Sequence, residues 1–223
     1  MQMSLRAPLV FLFALLALEA EAATVNLLGR SIEVAIPTGY CEVGAHPAEA
    51  DIVRRTREGI GNSNQVLVMF ADCNELEDFR NGKRMMFDNF GQILAQTPKG
   101  QLRVLKGISR SEYIQKISGK TNNFTEAMKK GEARAKQFSQ MTLSSENLGV
   151  LSTDSNGLYI GALVTMTDDT GLPRSMIGIV GMTLVREMSI TINLYQAYRK
   201  SPDLRGLLAR QQSAIASLVR MNN

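Results

Sequence analysis

Residues 175–195 read SMIGIVGMTLVREMSITINLY, and their pattern decides the fold. The second half alternates without a fault. Met188, Ile190, Ile192 and Leu194 fall on one side, and Ser189, Thr191 and Asn193 on the other. Successive strand side chains point to opposite faces, so this is a strand with one buried face. Its polar face is expected to lie largely in water, as in many antiparallel sheets. The first half, from about Ser175 to Val185, is apolar on both sides, as a central strand is. Arg186-Glu187 leaves room only for a tight reversal between the two.

Upstream, residues 147–168 read NLGVLSTDSNGLYIGALVTMTD. Asn156-Gly157 is a strong hairpin signal. After it, Leu158, Ile160, Ala162, Val164 and Met166 alternate with Tyr159, Gly161, Leu163, Thr165 and Thr167. Downstream, Ser201 is the expected cap of a closing helix, Pro202 its first position and Asp203 its early acid. Leu204, Leu207, Leu208, Ile215, Leu218 and Val219 form its apolar stripe, which Gln211 interrupts. This helix is expected on the sheet face built by Met188 to Leu194.

The amino-terminal half reads less regularly. Ile32, Val34 and Ile36 mark a strand, preceded by a turn at Leu28-Gly29-Arg30 and a short strand at Val25–Leu27. Residues 47–60 suit a helix with early acids and late bases. QVLVMFADC, ending at Cys73, reads as a buried strand, and Asn74 as the cap of a short helix that Asn81-Gly82 stops. Residues 84–97 read as a strand broken near Asn89 and Gly91. The stretch 99–107 is ambiguous. Its bases recur at helical spacing, Gly100 and Gly107 oppose a helix, and a strand through Leu102–Leu105 is an alternative. Ser109 or Ser111 caps a helix, and Thr121 or Asn122 caps a second with Phe124, Met128, Ala135 and Phe138 on its apolar face. The sum is one α+β domain over residues 23–223: an antiparallel sheet of about six strands, helices packed on it, and a carboxyl-terminal meander followed by a closing helix.

The first 22 residues stand apart. Arg6 precedes a 12-residue apolar run, Ala7 to Leu18, and Ala20-Glu21-Ala22 has the small-x-small form of a cleavage site. The run is shorter than the ~20 residues a membrane span needs, so it reads as a secretory signal peptide cut before Ala23. No later segment is long and apolar enough to cross a bilayer. A periplasmic or secreted location is therefore expected. In such a compartment the only two cysteines, Cys41 and Cys73, are expected to pair. The bridge closes a loop of about 33 residues and contributes about 3–4 kcal/mol by chain entropy.

Charge is uneven. Residues 83–136 hold 12 basic and 4 acidic side chains, net +8, whereas residues 23–82 are net −4. A basic middle can meet an anionic envelope component or be simply solvated. The candidate contacts are Lys99, Arg103, Lys106, Arg110, Lys129, Lys130 and Arg134. No interleaving of bases with aromatics points to nucleic acid.

Catalytic templates fare poorly. Asp169-Thr170-Gly171, within MTDDTGLPRS at 166–175, has the tripeptide of aspartic proteases. It falls between two strands where a short Asp- and Gly-rich turn is expected, and no second copy supplies the partner carboxylate. His46 is the only histidine, which leaves serine or cysteine hydrolysis without a base and zinc without a ligand set. The acids Asp72, Glu75, Glu77 and Asp78 suit a helix amino-terminus without a metal. No phosphate-binding or dinucleotide motif opens a helix, and no cofactor is expected.

The export signal, the opening strand ending in IPTGYC, and GIVGMTLVREMSITINLYQAYRKSPDLRGLLARQQ resemble secreted bacterial proteins of uncharacterised function. The closing meander and helix, over residues 147–221 with the first strand, are similar to PsbP-like α/β domains. That resemblance implies a partner-binding role more than catalysis, and carries over no site residue. The expectation is an exported, non-catalytic envelope protein that binds a partner or an anionic surface. The alternatives are a carboxylate-dependent hydrolase of envelope material, and an assembly or stress factor docking through its terminal helix.

Overall fold

A computed structural model describes residues 22–138, 142–167, 172–198 and 203–223, with the side chains of 22, 121–123, 135 and 138 set aside. The signal segment, Asp169-Thr170-Gly171, Ser201 and Pro202 lie outside the described residues. So do the expected cap at Thr121 or Asn122 and the side chains of Ala135 and Phe138.

Strands β1 (Ala22–Leu27) and β2 (Arg30–Ala35) form a hairpin. Its turn residues Leu28 and Gly29 both take positive φ, 53° and 78°, matching the twist of the flanking strands. Seven further strands make one antiparallel sheet: β3 (Tyr40–Val43), β4 (Asn64–Asp72), β5 (Asn89–Gln96), β6 (Thr142–Thr153), β7 (Leu158–Thr167), β8 (Pro173–Val185) and β9 (Met188–Ala197). Their spatial order is β3-β4-β5-β9-β8-β7-β6. The carboxyl-terminal meander thus supplies four neighbouring strands, and β9 lies at the centre against β5. The expected reversal holds: Arg186 and Glu187 take φ of 45° and 63°, and Val185 faces Met188. The Asn156-Gly157 hairpin closes on Asp154, whose carboxylate accepts from both N–H groups.

The helices are α1 (Ala50–Ile60), α2 (Cys73–Arg80), α3 (Arg110–Ser118), α4 (Thr121–Phe138) and α5 (Leu204–Met221). Three layers result. The β1–β2 hairpin and α5 cover one sheet face, where Ile190, Ile192 and Leu194 meet Leu207, Ile215 and Leu218 in the main core. The other four helices cover the opposite face. The fold is the expected α+β one, with α5 on the face of Met188 to Leu194.

Several local expectations need correction. The cap of α5 is Asp203, whose carboxylate accepts from Gly206 N–H, and the helix begins at Leu204 rather than Pro202. The cap of α2 is Asp72, which accepts from the N–H groups of Asn74 and Glu75, so Asn74 is already inside the first turn. The strand at 84–97 is not broken at Asn89. It begins there and runs to Gln96. Past a single 3-10 turn at Pro98–Gly100, the 99–107 stretch is neither helix nor strand. Positive φ at Lys99, Gly100 and Gly107 denies it a regular repeat, and only Val104 bridges to Met188.

The largest correction concerns the polar face of β9. It is not wet: Ser189, Thr191 and Asn193 are only 8%, 5% and 9% exposed. Helices α3 and α4 roof it.

The expected disulfide is present. Cys41 on β3 and Cys73, the first residue of α2, bridge with Cα atoms 4.9 Å apart. Gly39 carbonyl accepts from Cys73 N–H at 3.2 Å, so the bridge ties the sheet edge to the end of β4. Among the described residues no helix is long and apolar enough to cross a membrane.

Candidate functional site

The site begins with a mismatch between β9 and its roof. Ser189 is satisfied by the hydroxyl of Tyr113 on α3. One turn of α3 does not reach the next two polar residues. Among the described residues, Thr191 Oγ1 and Asn193 Oδ1 are buried without a hydrogen-bond partner. Buried polar atoms are nearly always paired, so two neighbouring orphans call for a reason. Both line a cavity of about 390 Å³ between α4 and the sheet.

Three anchors hold α4 over this space. The Oε1 of Glu132 accepts from Ser145 N–H on edge strand β6 at 2.6 Å and from the Ser145 hydroxyl. Asn147 Nδ2 donates to Thr125 Oγ1 at 2.9 Å. Across the sheet, Arg134 Nη1 donates to Ile60 carbonyl at 2.8 Å, at the end of α1. Between these polar ties the underside of α4 offers Phe124, Met128 and Gly131. Gly131 leaves room because it has no side chain, and a Cβ added there meets nothing within 4 Å.

The opposing wall is the sheet. Met166, Met176, Val180 and Met182 come from β7 and β8, and Phe90 and Tyr195 stack at 5.0 Å on β5 and β9. Gly178 on β8 makes space for that pair, since a Cβ there would lie 2.8 Å from the Tyr195 ring. Burial pushes the Tyr195 phenol up to about 12. Methionine side chains are flexible and polarisable and adapt to varied apolar shapes. The lining carries no carboxylate, imidazole or thiol. It offers apolar contact and a few hydrogen bonds, the make-up typical of a small-molecule pocket.

At one end of the cavity lie Asn64 and Gln96, partners across β4 and β5. Their chain neighbours Ser63 and Thr97 line a second, polar pocket of about 330 Å³, together with Lys99 and Arg134. The Arg134 guanidinium lies over Gly61, where a Cβ would come within 2.4 Å of Nη1.

The seven candidate basic contacts therefore do not form one face. Lys99 and Arg134 meet at the second pocket. Lys129 and Lys130 are exposed on α4, and Arg103 and Lys106 on the irregular stretch before α3. Arg110 is a structural tie: its Nε donates to Leu184 carbonyl at 3.0 Å and its Nη2 to Asn223 Oδ1 at 2.8 Å. The acids considered for a metal also have local work. Glu75 accepts from Asp88 N–H, Asn89 Nδ2 and Arg84, and Asp72 caps α2.

Sequence reasoning missed the cavity because it placed Thr191 and Asn193 in solvent. A signal was available in β8, whose apolar residues on both faces require cover on both sides of the sheet.

The sequence matches no family model and no curated protein. The fold is similar to cyanobacterial PsbP (CyanoP) from Synechocystis sp. PCC 6803, at 14% identity and a TM-score of 0.35, covering 87% of this chain and 91% of that one. It is also similar to the Saccharomyces cerevisiae Ran-binding protein Mog1p, at 12% identity and a TM-score of 0.33, covering 91% of this chain and 93% of that one.

Proposed function

We propose that this chain is an exported, non-catalytic binding protein of the envelope, and that it works by holding an apolar guest in the cavity beneath α4. Export is supported by the leader-like amino-terminal pattern and by the Cys41–Cys73 bridge, a bond kept in oxidising compartments. The observation that carries the binding reading is the pair of orphaned polar atoms, Thr191 Oγ1 and Asn193 Oδ1, set in a largely apolar cavity. A guest with a hydrogen-bond donor would satisfy them once the two side chains turn toward it, since neither atom has accessible surface as it stands, and would bury its apolar surface at the same time.

The test uses a neutral fluorescent probe, N-phenyl-1-naphthylamine, which has an apolar body and one N–H. Binding to the purified protein, seen as enhanced emission, supports the reading. Gly131→Leu places a side chain into the cavity and removes a helix glycine, which stabilises α4 by roughly 0.5–1 kcal/mol. This variant is expected to fold at least as well and to lose the probe. Equal emission from both proteins would overturn the reading.

The alternative of docking through α5 has little surface to work with, since Leu207, Ile215 and Leu218 are buried against the sheet.

A further inference from the structure

We infer that the guest is a single-chain anionic amphiphile, whose chain lies under α4 and whose head group meets Lys99 and Arg134. The inference rests on the binding reading above and names its ligand class. Three observations carry it.

First, the underside of α4 changes character along its length. Phe124, Met128 and Gly131 line the apolar cavity, and Arg134, one turn further, lines the polar pocket. The rise from Phe124 to Arg134 is about 15 Å, the reach of a medium-length acyl chain.

Second, the two pockets adjoin. Asn64 and Gln96 bound the first, Ser63 and Thr97 the second, and Asn64 faces Gln96 across the β4–β5 ladder.

Third, the positive charge at the polar end is not neutralised. Neither Lys99 nor Arg134 pairs with a carboxylate among the described residues. Arg134 spends only Nη1 on Ile60 carbonyl and Ser63 Oγ, at 2.8 and 3.3 Å. The rest of its donor fork remains available, and such a fork suits a carboxylate or phosphate. The hydroxyl of Thr97 donates to Asn62 carbonyl at 2.7 Å, fixing the pocket wall.

The test compares three ligands of one chain length: laurate and dodecyltrimethylammonium below their critical micelle concentrations, and lauryl alcohol below its solubility limit. Each displaces N-phenyl-1-naphthylamine from the purified protein. Laurate is expected to bind about tenfold tighter than the alcohol, with the cation weakest, because a charge-assisted hydrogen bond adds to chain burial. Lys99→Asn removes the charge and suits the positive φ of 58° at that position. It is expected to cut the laurate advantage severalfold, Arg134 remaining, and leave the alcohol unchanged. Lys129→Gln, on the exposed side of α4, should change neither.

Equal affinity for laurate and alcohol, or no effect of Lys99→Asn, would overturn the head-group assignment while leaving the cavity reading intact. Failure of the neutral probe to bind at all overturns both. Retention on phosphatidylglycerol vesicles that depends on Lys129 and Lys130, without laurate binding, overturns the inference in favour of surface docking.

Discussion

The side-chain amide of Gln211 on α5 donates to Ile192 carbonyl at 2.6 Å, and it reaches that oxygen across the bare backbone of Gly181. A Cβ at Gly181 would lie 2.3 Å from Gln211 Nε2. The two positions are therefore one contact between helix and sheet, and explain why a glutamine interrupts the apolar stripe of α5. Gly181→Ala should destabilise the protein by about 1–3 kcal/mol through overpacking. Gln211 Oε1 is itself buried without a partner, so Gln211→Met should be close to neutral and should soften the cost of Gly181→Ala. Urea unfolding midpoints of the two single variants and the double variant check both statements. Additive effects would show that the residues act independently.

The disulfide gives a second prediction. Cys41 and Cys73 are 32 residues apart and join the sheet edge to the start of α2. Replacing both by Ser should lower stability by about 3–4 kcal/mol, the chain-entropy value for such a loop. Alkylation of the unfolded protein should add mass only after reduction. Labelling without reductant would show two free thiols and remove one support for export.

Stability should also fall in acid, partly through Glu49. Its side chain is fully buried beside the amino-terminus of α1. Burial alone would raise its pKa. Hydrogen bonds from the N–H groups of Gly44 and His46 and from Arg80 outweigh that and hold it below the ordinary 4.5. A carboxyl group lowered on folding contributes stability that is complete above its unfolded value and is lost as pH drops through the folded one. The loss should therefore begin near pH 4.5 and continue below it. Glu49→Gln should lower stability at neutral pH, because Arg80 loses its anion, and flatten the acid limb of the curve. Urea midpoints at a series of pH values read both effects. An acid limb unchanged in Glu49→Gln would assign the loss to other carboxylates.

The meander and closing helix were legible because their signals are local. Period-2 alternation assigned each residue of β9 to a side, and Asn156-Gly157 and Arg186-Glu187 marked the reversals. What covers a side is not a local property. The roof over Thr191 and Asn193 comes from residues 121–138, more than fifty positions upstream, and β9 pairs with β5, a strand about a hundred residues before it. The placement of the basic residues was not legible for a similar reason. Lys99, Arg103, Lys106 and Arg110 look like one helical face, but positive φ at Lys99 and Gly100 turns the chain, and Arg110 points back to Leu184 carbonyl. Arg134, close in sequence to Lys129 and Lys130, instead shares a pocket with Lys99.

The cavity floor yields the most direct test of whether the fold gives up stability for binding. Thr191 Oγ1 lies buried without a partner among the described residues. Valine has nearly the same shape and no hydroxyl. If the hydroxyl serves only the fold, Thr191→Val should be neutral or harmful. If it is kept for a guest, removing it relieves an unsatisfied polar group, and stability should rise by about 1 kcal/mol. The same change should weaken a guest that hydrogen-bonds to the floor, so stability and affinity should move in opposite directions, as they do at many binding sites. Asn193→Leu should show the same opposition, although its larger change of shape makes the stability gain smaller. The measurements are urea midpoints and N-phenyl-1-naphthylamine titrations on the same preparations. A variant that loses both stability and probe binding would make Thr191 an ordinary structural residue, and would take away the observation on which the binding site rests.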